Sequence, residues 1–182
     1  MAGNVAIFPH ASGAPTTYTD PNFYEYYFCG YDPSGNLYVD GQAGSGPFVL
    51  AELPKGGSTL KNLKLNQQVG WPGGVQWHGR YLAVGDQAKS AIYQFAVSGS
   101  HGALKGTTLL NDTSDVIQFW IEGHRVIGGD HPSSQVHYWD YPAGGNPTKT
   151  ITRGVGGPDG MTVSLAPGAK SHSTHSAKAQ RR

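Results

Sequence analysis

Short stretches of alternating side chains recur along this chain. In residues 90–97, Ile92, Gln94 and Ala96 point one way while Tyr93, Phe95 and Val97 point the other, which is the period of a strand. Residues 75–77 predict a strand that enters a tight turn at Gly79 and returns through Tyr81, Leu82, Ala83 and Val84. A Gly-rich turn then precedes a fourth strand, as at residues 148–152. The run Asp32-Pro33-Ser34-Gly35-Asn36 is a turn signal of the same kind, since Asp, Pro, Gly and Asn each supply a backbone state that turns need.

These strand groups repeat. GYDPSGNLYVDG from Gly30, VQWHGRYLAVGD from Val75 and IQFWIEGHRVIGGD from Ile117 share a glycine frame: Gly35, Gly79 and Gly123 are 44 apart, and so are Gly41, Gly85 and Gly129. A second block begins at Asn4, Phe48, Ala91 and Val136, with Pro9, Pro54, Ser98 and Pro142 in register at steps of 45, 44 and 44. Four antiparallel strands in 40–50 residues is the size of a β-propeller blade. The expected fold is therefore all-β, a propeller of about four blades. Residues 22–66, 67–111 and 112–153 form complete blades. Residues 1–21 supply third and fourth strands, and 154–165 supply one inner strand at 161–165. The stretch 166–182, rich in Ser, His, Lys and Arg, reads as a disordered basic tail. The partial blades allow two arrangements, a closed ring of four blades or a section of a longer propeller whose strand edges invite association with another copy.

Composition agrees and removes some functions. The chain has 182 residues with 27 glycines, 12 prolines and 20 aromatic side chains, and the large apolar groups are mostly aromatic. A formal net charge of +1 with 14% charged residues gives nucleic acid no electrostatic purchase. No apolar run is long enough to span a membrane, and no signal peptide is visible. Cys29 has no cysteine partner and reads as a small buried hydrophobe among Tyr27, Phe28 and Tyr31.

GYDPSGNLYVDG resembles the Asp-x-x-Gly-Asn-x-Tyr-Val stretch of NHL-type and gluconolactonase-like propeller repeats. GGPDGMTVS from Gly156 is similar to the inner-strand start of gluconolactonase-like and virginiamycin-lyase-like propellers. The resemblance covers roughly residues 3–165 and is chiefly architectural, because the equivalent places read Pro72-Gly73-Gly74 and Ser114-Asp115-Val116. It implies a fold often found in exported proteins, extracellular or periplasmic, and through Asp159 and its counterpart Asp115 it leans toward a divalent metal such as Ca²⁺.

Propeller topology places the loops entering each inner strand beside the loops joining second and third strands. Trp71, Asp115 and Asp159 are thereby expected around one mouth with Gln42, Asp86, Asp130 and His131. Asp86 and Asp130 occupy equivalent positions and read first as groups tying their own turns by local hydrogen bonds. The alternative is a Ca²⁺ site, which needs six to eight oxygens. His131 with His137, and His78 with His124, match no zinc spacing and read as surface or packing histidines. Trp139 is expected on the strand face opposite Tyr138, packed between blades. No nucleophile elbow, phosphate loop or zinc-protease motif is present in the sequence. Three functions follow: a non-catalytic module holding a small molecule, carbohydrate or protein at the mouth; a metal-dependent lactonase- or lyase-like enzyme using Asp115, Asp130, His131 and Asp159; and an assembly module, a homo-oligomer joined through open blade edges.

Overall fold

A computed structural model describes residues 3–44 and 46–164. Its first strands, β1 (Val5–Ile7) and β2 (Thr16–Tyr18), form a hairpin. Three sheets follow, each with four antiparallel strands in chain order from the inside outward, the second carrying one more short strand that pairs parallel at its outer edge. The first is β3 (Glu25–Tyr31), β4 (Leu37–Gln42), β5 (Phe48–Leu53) and β6 (Lys61–Asn62). A two-residue strand, β7 (Lys64–Leu65), adds to the outer edge of the second sheet, which runs β8 (Pro72–His78), β9 (Tyr81–Asp86), β10 (Ala91–Ser98) and β11 (His101–Leu109). The third is β12 (Val116–Glu122), β13 (Arg125–Asp130), β14 (Gln135–Asp140) and β15 (Lys149–Ile151). These three sheets are the blades.

The turn between the first two strands of each blade rests on one glycine. Gly35, Gly79 and Gly123 have φ of +88°, +61° and +59°, which a side chain would strain. At the first of these the Asp32 carboxylate also accepts the Asn36 backbone N–H at 2.9 Å and its side-chain amide at 2.8 Å.

Blades lie face against face, so the second strand of each blade is buried almost throughout. Alternation along β10 sends Tyr93 and Phe95 into the cluster shared with the first blade, and Ile92 into the cluster shared with the third. The first seam holds Tyr38, Leu50, Val75, Leu82 and Val84. The second holds Val116, Phe119, Ile121, Val126 and Trp139, which is fully buried and on the opposite face from half-buried Tyr138. Gly30 belongs to this packing: a Cβ there would sit 2.6 Å from the Val75 carbonyl oxygen, so only glycine lets β3 approach β8. The hairpin β1–β2 covers the free face of the first blade through Val5, Ile7 and Tyr18.

Two expectations fail. Residues 161–164 form no strand, although Gly160 lies against Gln118 of β12, where a further inner strand would begin. An inner strand needs a second strand as its ladder partner, and no described residue supplies one; residue 165 and the expected basic tail at 166–182 lie outside the described residues. Cys29 is exposed rather than buried, because Gly30 takes the face toward the second blade and turns its neighbour away.

Candidate functional site: the mouth of the blades

At one end of each blade, the segment entering the inner strand meets the end of the second strand. In the second blade the Asp86 carboxylate accepts backbone N–H groups from Gly70 (2.9 Å) and Trp71 (3.2 Å), and the Gln87 N–H returns a bond to the Trp71 carbonyl. In the third blade Asp130 Oδ1 accepts the N–H groups of Ser114 (3.2 Å) and Asp115 (3.1 Å), and the His131 N–H donates to the Asp115 carbonyl. Asp130 Oδ2 accepts the Ser133 hydroxyl at 2.5 Å. Both carboxylates are 2% exposed. Each works as a clasp: it fixes the crossing loop by charge-assisted bonds to two consecutive peptide groups. Burial alone would raise the Asp130 pKa, but the bonds from Ser133, Asp115 and Ser114 outweigh it and hold the carboxyl below its ordinary value.

The first blade does the same job with less. Gln42 stands where the aspartates stand; its carbonyl accepts the Tyr24 N–H at 2.8 Å and its side-chain amide donates to Gly46 O. The Tyr27 hydroxyl donates to Glu25 Oε2 at 2.5 Å and lies 3.3 Å from Gln42 Oε1.

The third blade also gathers an ionisable cluster. His131 Nδ1 and Asp159 Oδ1 are 2.5 Å apart, with the two side chains 49% and 66% exposed. The segment 154–160 is held there by further contacts: the Gly157 N–H donates to Ser134 Oγ at 3.2 Å, and Pro158 packs on Gly129. Asp115 lies within electrostatic reach of Asp130, His131 and Asp159. Burial, then the charge of Asp130, pushes its carboxyl upward, against the pull of His131. Asp115 Oδ1 is buried without a partner.

The six sequence-derived residues thus fall into two groups. Trp71 and Asp86 meet in the second blade; Asp115, Asp130, His131 and Asp159 meet in the third. The two carboxylates expected at a Ca²⁺ ion, Asp115 and Asp159, supply at most four of the six to eight oxygens it takes. Asp86 and Asp130 already accept N–H and O–H donors on both oxygens, and no grouping of three or more His, Cys, Asp and Glu able to hold a metal occurs among the described residues. His137 does not join His131: it is buried, with Nδ1 on Thr150 Oγ1 at 2.9 Å, and burial lowers its pKa.

Sequence reasoning placed Trp71 at this end but missed the exposed tyrosines Tyr24 and Tyr27. Trp71 is 43% exposed, Tyr24 50% and Tyr27 40%, a level at which large apolar groups in one region point to contacts. The alternation of β3 that would have placed Tyr27 is broken by a bulge between Tyr26 and Cys29. A second concavity of about 280 Å³ opens between the inner strands, lined by Cys29, Tyr31, Gln76, Trp77, Gln118 and Trp120.

Stacked four-stranded blades with clasped crossings define a β-propeller. Solved structures agree on the fold: the chain is similar to a streptogramin B lyase (12% identity, TM-score 0.58, 78% of this chain and 46% of that one). It is also similar to BamB from Moraxella catarrhalis (15%, 0.50, 82% and 42%) and to the hydrazine synthase of Kuenenia stuttgartiensis (13%, 0.53, 79% and 39%). The chain spans less than half the length of each. No family model matches it, and no curated protein matches it by sequence.

Proposed function

We propose that this chain is a non-catalytic β-propeller binding module that takes a protein or peptide ligand at its mouth. The observation that carries this reading is the employment of Asp86 and Asp130. Both carboxylates are bound on each oxygen by the protein's own donors, so neither is free to act on a substrate or metal. What remains available beside them is aromatic surface, Trp71 in the second blade and Tyr24 and Tyr27 in the first, with polar groups at its rim. Tyrosine and tryptophan bring large contact area with few rotatable bonds, which suits them to anchoring a peptide.

The test is selection of a displayed random peptide library on the chain, with counter-selection on a Trp71→Ala variant of unchanged melting temperature. Enriched peptides should bind the variant at least tenfold more weakly. No enrichment, or binders indifferent to both Trp71→Ala and Tyr27→Ala, would overturn the reading.

The His131–Asp159 contact supports one other reading, an acid–base enzyme of the lyase or lactonase kind. A carboxylate 2.5 Å from Nδ1 fixes the ring and leaves Nε2 to move a proton. Turnover of streptogramin B or of a lactone panel, lost on His131→Ala, would establish it in place of the first.

A further inference from the structure

The seam between the first two blades buries one carboxyl group that no side chain neutralises. Asp40, in the middle of β4, is 0% exposed. Leu37 and Val39 face the hairpin side, so alternation turns Asp40 to the side of Tyr38, into the seam with the second blade. Its direct partner on β5 is Leu50, another member of that cluster. Asp40 Oδ1 accepts the Phe28 N–H at 2.8 Å; Oδ2 is buried with no partner.

A local displacement of the inner strand puts it there. In the second and third blades the pairs Pro72↔Asp86 and Val75↔Val84, then Val116↔Asp130 and Phe119↔Gly128, leave Gly85 and Gly129 opposite the bulge. In the first blade the pairs Tyr26↔Gly41 and Cys29↔Val39 leave Asp40 opposite a bulge of Tyr27 and Phe28. By sequence position Asp40 corresponds to Val84 and Gly128, so a carboxyl replaces an apolar residue or none.

Among the described residues the surroundings offer no opposite charge. From β3 the ionisable groups within reach are the Tyr27 phenol and the Cys29 thiol, both of which feel Asp40 as a negative neighbour. From β5, Glu52 acts on Tyr38, and burial, then the charge of Asp32, pushes its own carboxyl upward against the pull of Lys61. On β8 nothing between Pro72 and Trp77 ionises, and His78 at its end responds to Glu122 and His124. On β10 the Tyr93 phenol is pushed up by burial and then by Asp86. Burial therefore pushes the Asp40 carboxyl well above the usual carboxylate range, opposed only by backbone hydrogen bonds.

We propose that Asp40 is a pH-sensitive latch in the seam between the first two blades, closed while the carboxyl is protonated and opened when it ionises and draws water in. The bulge it binds carries Tyr27, so the same event loosens one side of the mouth. The inference does not depend on what the mouth binds. In the unfolded chain this carboxyl ionises near pH 4, while the folded chain keeps the proton to higher pH. The stabilisation is therefore complete below about pH 4 and falls as pH rises, until the folded value is passed.

The experiment is thermal unfolding of the wild type, Asp40→Asn and Asp40→Val between pH 4 and 9, with hydrogen–deuterium exchange at each pH. Asparagine keeps an acceptor for the Phe28 N–H and cannot ionise; valine is the residue at the equivalent position in the second blade. The melting temperature of Asp40→Asn minus that of the wild type should widen by on the order of 5–10 °C from pH 4 to 8. Protection in peptides covering 25–31 and 72–78 should fall with pH faster in the wild type than in Asp40→Asn, while 116–122 behaves alike in both. Asp40→Val should also lose the wild-type pH dependence. Parallel melting profiles, exchange that rises uniformly along the chain, or failure of both variants to fold at pH 8 would overturn the latch.

Discussion

Between the second and third blades, polar groups reach across the seam and are answered. Gln76 of β8 donates to the Ile121 carbonyl at 2.9 Å and accepts the Ile121 N–H at 2.7 Å, so one side chain joins two inner strands. The Trp139 indole, fully buried, donates to the Asn111 carbonyl at 3.1 Å, and Thr108 donates to the Pro142 carbonyl at 2.8 Å. Between the first and second blades the apolar packing is as extensive, with Tyr38 and Trp77 stacked at 5.7 Å, but the polar group at its centre, Asp40, has one oxygen unanswered. Equal burial thus gives unequal seams. A satisfied network fixes its neighbours, whereas a half-satisfied one makes the joint depend on protonation.

The comparison can be broken first at Trp139. Trp139→Ala removes the largest fully buried side chain and strands the Asn111 carbonyl, and should cost about 3–5 kcal/mol of unfolding free energy in denaturant titration. A loss below about 1 kcal/mol would mean that the second seam is not the stronger. Gln76→Leu tests the same seam more gently. It leaves the Ile121 N–H and carbonyl unpartnered and should cost about 1–3 kcal/mol, with no dependence on pH. A pH-dependent loss at Gln76 would blur the distinction between the seams.

Much of this frame is readable from residue order. Gly35, Gly79 and Gly123 turn the chain at the same point of each blade, and only a left-handed backbone explains glycine at all three. Asp86 and Asp130 recur because the same two peptide N–H groups of each crossing loop need an acceptor. Residue order predicts ties within their own turns, yet the bonded peptides lie in the preceding crossing loop, and only the Ser133 hydroxyl on Asp130 is such a local tie. The association of Asp115, His131 and Asp159 follows from the topology, although their distances do not. The rest is set by registers that no spacing encodes. The inner-strand bulge leaves Asp40 opposite Tyr27 and Phe28, and alternation alone cannot say that a strand aspartate lies in a dry seam. Cys29 reads as buried among aromatics, yet the glycine beside it claims the packed face. The strand expected at 161–165 carries a plausible inner-strand pattern, but pairing is a property of two segments, and 161–164 has no partner among the described residues.

The central functional claim is that Asp86 and Asp130 are spent on the chain's own backbone rather than on a metal. The measurement that tests it most directly is the melting temperature of the wild type, Asp130→Ala and Asp159→Ala, each with millimolar Ca²⁺ and with a chelator. Coincident curves for the wild type in the two conditions, and an equal drop for Asp130→Ala in both, are the predicted result. A rise of several degrees with Ca²⁺ that disappears in Asp159→Ala would contradict it and return these residues to a metal-dependent enzyme.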